Sequence, residues 1–282
     1  MLKGLVIAAS KTELLKETLT REGLPWIEPA GKEKEDFLGA LMRLGAGPEE
    51  ILCLVERDRE EEIARDLGWF CVGYLNPELP KEHLSCCKIL LEGFQEIDRV
   101  FLQNVYTRAC GLPVQIAETR RLLIREMTLA DLDAVNALYR EGDSAGFFPE
   151  CSLERKEEEE RIRAYIAYMY GLYQFGMWVV IEKESRRLIG RAGFGIADYL
   201  DFSEVDMGYL IGRNYRRQGY AEEACRAVLE YARTVLYFPG VSAYVDSENL
   251  GSLRLLEKLG FHREQFFSLR ERNLCRYCLA FQ

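Results

Sequence analysis

Apolar and polar positions alternate in two different rhythms along this chain. Through about residue 110, Leu5–Ala9, Ile51–Val55 and Phe70–Tyr74 are short apolar runs that read as buried strands. Between them, Glu13–Arg21, Phe37–Leu44 and Glu60–Leu67 repeat their apolar positions at helical spacing. Strands separated by helices predict a parallel α/β sheet. A further helix over about Glu96–Ala109 closes this unit, and Gly111-Leu112-Pro113 breaks it.

After residue 120 the order changes. Leu122–Glu126 reads as a strand, and Thr128 with Asp131 forms a capping-box signature for the helix that follows. The segment LERKEEEERIRAYIAYMYGLY predicts a second helix with a solvated charged face. MWVVIE and LIGRAGFGI flank the polar turn KESRR as a hairpin, and VDMGYLIG is a third strand. A helix over Ala221–Leu236, the strand VSAYV, the helix NLGSLRLLEKLG, and strands near Phe261–Leu269 and Leu274–Phe281 complete the order β-α-α-β-β-β-α-β-α-β-β. The texture change places one domain at about residues 1–115 and another at 120–282.

Composition narrows the function classes. Of the 282 residues, 48% are hydrophobic and 29% charged, as in ordinary globular proteins. The formal net charge of −9 argues against a nucleic-acid or anionic-membrane partner. No run approaches the roughly 18 apolar residues of a membrane helix. MLKGLVIAAS reads as a first strand, because its apolar run is too short for a signal peptide. The nine cysteines are an odd number, several within apolar runs, which fits reduced thiols and a cytoplasmic setting.

The candidate chemistry begins where the third strand of the second domain runs into a helix. In Arg216-Arg217-Gln218-Gly219-Tyr220-Ala221 a strand ends, the chain turns and a helix starts. A helix N-terminus leaves backbone N–H groups unpaired, and its dipole favours an anion. Gly219 permits close approach or positive φ, Ala221 keeps the first turn slim, and the arginines add charge. In outline this is a pyrophosphate cradle. It is neither a Walker loop, lacking G-K-[ST], nor a dinucleotide fingerprint, having a single glycine in the turn. An ordinary capped helix with solvated arginines would read the same way.

With its surroundings, this region resembles the GNAT acyltransferase superfamily, whose signature is [QR]-x-x-G-x-[GA]. Arg216, Gly219 and Ala221 match it. The preceding DMGYLI resembles the E-I-G-Y-W-I strand of the branch that includes ribosomal-protein N-terminal acetyltransferases. Asn249, Ser252, Glu257, Lys258, Gly260 and Phe261 match that branch's N-x-x-S-x-x-x-x-E-K-x-G-F motif. The resemblance covers about residues 121–282 and implies a mixed, splayed β-sheet flanked by helices.

It also implies acetyl-CoA, or a related acyl-CoA, as cosubstrate and an amine as acceptor. The backbone amides of Arg217, Gln218, Gly219, Tyr220 and Ala221, beside Arg216, would hold the pyrophosphate. Leu210 and Ile211 would pair with the pantetheine arm, Asn249 would bond it, and Ser252 would lie near the thioester sulfur. A strand N–H near Leu210 or Ile211 would stabilise the oxyanion formed on amine attack. An α-amino group, with a pKa near 8, needs milder help to become neutral than a lysine near 10.4. Glu204 and Asp206, at the start of the central strand, are the candidate general bases. The sequence departs from many GNAT enzymes at Leu256, where a tyrosine would protonate the leaving thiolate; Ser252, or water held by it, would have to assist.

Other chemistry is poorly supported. His83 and His262 neighbour no ligand cluster, so no metal site is expected, and Cys275-x-x-Cys278 lacks a second pair. The first domain resembles the later part of a haloacid dehalogenase-like domain. Gly31, Lys32 and Asp36 match its G-K-P-x-P-D, Glu56 and Asp58 fall near its magnesium-binding acids, and Ala64 and Gly68 match its last motif. Its nucleophile motif D-x-D-x-T is replaced, with Ala8 and Ser10 at the acidic positions, so no phosphoenzyme is expected. A degenerate, noncatalytic Rossmann-like domain that stabilises the transferase, makes a homodimer or senses a ligand is the expectation.

The reading is therefore an acyl-CoA-dependent N-acyltransferase acting on a primary amine, with a peptide N-terminus slightly ahead of a small molecule. The acceptor pocket is expected from EGDSAGFFPE, the tyrosine-rich helix and the final hairpin, with Phe147, Phe148, Tyr165 and Tyr168 as candidates. The rival is a noncatalytic acyl-CoA sensor whose output comes from the first domain.

Overall fold

The computed structural model describes residues 1–141, 154–197, 203–269 and 272–281. The chain divides into two compact units, Met1–Val114 and Gln115–Gln282.

The first unit runs β1 (Gly4–Ala8), α1 (Glu13–Arg21), β2 (Trp26–Ile27), α2 (Lys34–Leu44), β3 (Ile51–Val55), α3 (Asp58–Asp66), β4 (Phe70–Tyr74), β5 (Leu90–Leu91) and α4 (Arg99–Ala109). All strand pairs are parallel, in the order β2-β1-β3-β4-β5. Strand alternation sends Leu5 and Ile7 to a core shared with Leu15, Leu19, Leu102 and Val105. Val6 points to the other core, with Phe37, Ala40, Cys53 and Ala64. Both sheet faces are covered, as a parallel sheet requires. The parallel α/β sheet expected from the apolar runs is present. The two-residue strands β2 and β5 are additions, too short to register as a periodicity.

The second unit runs β6 (Gln115–Glu118), β7 (Leu122–Arg125), α5 (Leu132–Glu141), α6 (Arg155–Tyr165), β8 (Met177–Glu182), β9 (Leu188–Ala197), β10 (Glu204–Ile211), α7 (Tyr220–Thr234), β11 (Gly240–Asp246), α8 (Leu250–Leu259), β12 (His262–Leu269) and β13 (Arg272–Ala280). The sheet order is β12-β13-β11-β10-β9-β8-β7-β6. Every neighbouring pair is antiparallel except β10 and β11, which α7 connects as a parallel crossover. This is the expected mixed sheet with flanking helices, extended by β6.

Local chemistry explains the helix ends. Asp131 accepts hydrogen bonds from the Thr128 N–H at 2.8 Å and the Thr128 hydroxyl at 2.9 Å, starting the short 3₁₀ turn that leads into α5. Asn249 caps α8 through Oδ1, accepting from the Ser252 N–H at 3.1 Å, and Gly260 ends it at φ 95°. α6 widens into a π-helical stretch over Ile166–Leu172, the end of the tyrosine-rich segment.

α7 packs a slim face onto the sheet. Ala224, Val228 and Ala232 recur every four residues beside Cys225 and Leu229, and all are buried. Beneath it, Trp178 is fully buried and meets Phe194 and Tyr231 edge-on, with ring centroids 5.7 and 5.4 Å away. Trp178→Ala should therefore lower the unfolding free energy of the C-terminal unit by about 3–5 kcal/mol. Urea unfolding of the full chain, followed by far-UV circular dichroism, measures it, because the remaining Trp26 and Trp69 both lie in the first unit.

Candidate functional site

β10 is paired along its whole length with β9, from Glu204 opposite Ala197 to Ile211 opposite Gly190. Its other neighbour, β11, meets it at a single register, Asp206 opposite Ser242. Past that point the two strands part. The free edge of β10 from Gly208 to Ile211, where Leu210 and Ile211 have buried side chains, faces the opening. Both α7 and α8 start beyond the carboxyl ends of these strands, so two helix N-termini stand at the same end of the cleft.

The turn into α7 holds two residues in the left-handed region. Arg217 sits at φ 59° and Gly219 at φ 81°. The first intrahelical bond of α7 runs from the Glu223 N–H to the Gly219 carbonyl at 3.1 Å, so the N–H groups of Tyr220, Ala221 and Glu222 precede it at the helix N-terminus. Arg216 Nε donates to the Ile211 carbonyl at 3.0 Å, folding the turn back on the strand. Gln218 Nε2 donates to the Asn214 carbonyl at 2.8 Å. Arg217, Gln218 and Gly219 are exposed, while the Tyr220 ring is buried.

A clamp that sequence reasoning missed holds this turn from the bend just before β7. Arg121 Nη1 donates to the Gln218 carbonyl at 3.0 Å, and its guanidinium lies 4.1 Å from the Tyr220 ring centroid. Its Nε donates to Glu223 Oε2 at 2.7 Å, and Glu223 also accepts from the Thr119 hydroxyl at 2.6 Å. The partners are about a hundred residues apart, and only the sheet order brings them together.

Two carboxylates lie on the face of β10 that alternation shares among Glu204, Asp206, Gly208 and Leu210. Glu204 is saturated. Arg276 grips it with two bonds, Nε to Oε1 at 2.7 Å and Nη2 to Oε2 at 2.6 Å. The Ser242 hydroxyl donates to it at 2.5 Å, and the Tyr244 hydroxyl donates as well. These donors, Arg276 foremost, hold its carboxyl down at about 2. Asp206 behaves oppositely. Burial, with the Glu204 charge nearby, pushes it up to about 6. The space it occupies is left by Gly195, where a Cβ would lie 3.0 Å from Asp206 Oδ1.

The opposite face of β10 carries Tyr209. Its hydroxyl donates to Ser252 Oγ at 2.8 Å, across the opening to α8. Leu256, one turn further along α8, is fully buried. Asn249 uses its Oδ1 as the α8 cap, so its amide nitrogen is the group left for a ligand.

On the Asp206 face, Met177 of β8 covers Gly208: a Cβ at Gly208 would lie 3.3 Å from Met177 Sδ. The Met177 backbone is held by tyrosines. Its N–H donates to the Tyr165 hydroxyl at 2.6 Å, and its carbonyl accepts from Tyr170 at 2.6 Å and from buried Arg191 Nη2 at 2.7 Å. Tyr165 is thus a scaffold group. Tyr168 is exposed and stacks edge-on with Tyr173. Phe147 and Phe148, with the rest of EGDSAGFFPE after Glu141, lie outside the described residues.

In the first unit, the carboxyl ends of β1, β3 and β4 meet at a polar knot. Glu56 Oε2 accepts from the Ser10 N–H at 3.1 Å, the Ser10 hydroxyl at 2.7 Å and Asn76 Nδ2 at 3.0 Å. Asp58 Oδ1 accepts from the N–H groups of His83 at 2.9 Å and Leu84 at 2.7 Å.

Comparison with known proteins bears on the second unit. The family described as "Acetyltransferase (GNAT) domain" matches residues 121–262. The N-acetyltransferase YnaD of Bacillus subtilis is 32% identical over 151 residues, which is 53% of this chain and 84% of YnaD. YoaA of the same organism is 30% identical, over 53% of this chain and 84% of its own. RimL, a ribosomal alpha-N-protein acetyltransferase solved in complex with coenzyme A, superposes with a TM-score of 0.51 at 12% identity, over 59% of this chain and 98% of RimL. A ribosomal-protein alanine acetyltransferase from Vibrio fischeri does so with a TM-score of 0.51 at 15% identity, over 59% of this chain and 96% of its own. At these identities the solved structures speak to the fold alone.

The Glu204 geometry predicts a pH signature. The carboxyl is held at about 2 in the folded chain, against about 4.3 for a free glutamate. A depressed acid contributes stability above its unfolded pKa and loses it as pH falls toward the folded value. The melting-temperature gap between wild type and Glu204→Gln should therefore be full at pH 7 and shrink as pH drops from about 5 toward 2. A gap independent of pH across that window contradicts the assignment.

Proposed function

Because the chain belongs to the GNAT family of acetyltransferases, we propose that the cleft between β10 and β11 binds acetyl-CoA and passes its acetyl group directly to a primary amine on the Asp206 side. The observation that carries this reading is the parting of the two strands beyond Asp206 and Ser242, with the N-terminus of α7 at its far end.

The backbone amides from Arg217 to Ala221 receive the pyrophosphate, with Arg121 holding the turn in shape. The free edge of β10 at Leu210 and Ile211 takes the pantetheine arm, and a strand N–H there faces the developing oxyanion. Asn249 bonds the arm through its amide nitrogen, and Ser252 lies near the sulfur. Asp206 takes a proton from the acceptor ammonium, directly or through water, freeing the lone pair that attacks. Glu204 is assigned a holding role, since a carboxylate kept at about 2 by Arg276 is a weak base.

An α-amino group of a peptide is the preferred acceptor. A carboxylate near 6 matches an α-ammonium near 8 better than a lysine near 10.4. The rival reading, an acyl-CoA sensor without chemistry, leaves unexplained why Asp206 is kept ionisable beside the cleft.

The first unit is read as a degenerate haloacid dehalogenase-like domain without chemistry of its own. Ala8 and Ser10 replace the acids a phosphoenzyme needs, and Glu56 is tied up by Ser10 and Asn76. It is available for stabilising the chain, for dimerisation or for ligand sensing.

Two experiments test the proposal. Acetyl-CoA at about 100 times its dissociation constant should stabilise the chain by roughly 2.7 kcal/mol, and Gly219→Glu should abolish the shift by putting bulk and negative charge in the turn. In peptide acetylation assays, kcat should rise with pH through an apparent pKa near 6, as Asp206 loses its proton. Asp206→Asn should lower kcat by about 10²–10⁴ and remove that limb. An unchanged pH profile in the variant assigns the base elsewhere.

A further inference from the structure

On the transferase reading, the leaving thiolate needs a partner, and the helical position where a tyrosine would stand carries the buried Leu256. The structure offers another arrangement on the same side of the cleft. Tyr209 projects from the face of β10 opposite Asp206 and donates its hydroxyl proton to Ser252 Oγ at 2.8 Å. Attack and departure then lie on opposite faces of one strand, the base on one and the Tyr209–Ser252 pair on the other.

A serine hydroxyl has one proton and two lone pairs, and its rotor follows its partners. With Tyr209 donating to one lone pair, the serine proton is turned away from the phenol. We propose that Tyr209 is a positioning residue for thiolate departure: it fixes the Ser252 rotor so that the serine O–H is aimed at the sulfur.

In the balanced step, the N–C bond forms and the C–S bond breaks, and the electron pair goes to sulfur. One ammonium proton passes to Asp206 and then to water before attack, and the second, left on nitrogen by the addition, passes to water as the amide forms. The thiolate is stabilised by the Ser252 O–H and takes its proton from water. Tyr209 keeps its own proton throughout, since burial pushes its phenol up to about 12. It acts as a fixed dipole whose orientation is set before charge develops.

The same bond could serve only to brace β10 against α8, and the experiment separates the two roles. Wild type, Tyr209→Phe, Ser252→Ala and the double variant are assayed as full-length chains with acetyl-CoA and a panel of short peptides with free α-amino groups. Free thiol and acetylated peptide are both measured, with melting temperatures recorded alongside. Ser252→Ala should lower kcat about a hundredfold. Tyr209→Phe should lower it about tenfold, with the KM for acetyl-CoA and the melting temperature near wild type. The double variant should be no slower than Ser252→Ala, because Tyr209 works only through the serine.

Additive losses, or a Tyr209→Phe variant whose defect lies in KM and melting temperature, would overturn the proposal and leave a brace. Tyr209→Phe at the wild-type rate would also overturn it while leaving the transferase reading intact. A wild type that binds acetyl-CoA yet acetylates no peptide would sink the peptide-transferase reading and the positioning role with it.

Discussion

One backbone register, Asp206 beside Ser242, joins β10 to β11, and every feature of the site depends on the strands parting beyond it. A parallel pair tied along its length would leave no free edge. Side chains close this end of the gap. Glu204 on β10 bonds to Ser242 and Tyr244 on β11 and to Arg276 on β13, so three strands are tied at the point where the cleft begins. At the far end α7 and α8 start side by side, and Arg121 fixes the shape of the α7 turn. The cleft is thus a wedge held at both ends by ion pairs and hydrogen bonds, with open backbone groups between.

The two acids two residues apart show how environment divides labour. Both are carboxylates on one strand face at the same end of the sheet. Arg276 and two hydroxyls hold one at about 2, and burial lifts its neighbour to about 6. Each helps set the other, because the ionised Glu204 adds to the cost of charging Asp206. On the proposed reading, one serves as an anchor and the other accepts the proton.

Much of the fold was legible because its signals are local. Apolar alternation marked the long strands, Thr128 with Asp131 marked a helix start, and Gly219 marked the turn into α7. The strands β2, β5 and β6 span only two to four residues, and a period needs more repeats than that to register. In the site, the motif positions stood out because backbone geometry demands particular residues there. What could not be read were pairings made by topology. Arg121 with Glu223, Arg276 with Glu204, and Tyr209 with Ser252 join residues 102, 72 and 43 apart. Sequence placed Glu204 and Asp206 side by side as candidate bases. The position of Arg276 on β13 and the burial of Asp206 set their environments apart.

Hydrogen-exchange mass spectrometry of the full chain with and without acetyl-CoA tests the wedge most directly. The account predicts slowed exchange in two separate segments, the end of β10 through the start of α7 and the cap of α8, with the Glu204 end of β10 unchanged. Protection confined to residues 1–114, or none at saturating acetyl-CoA, would contradict it.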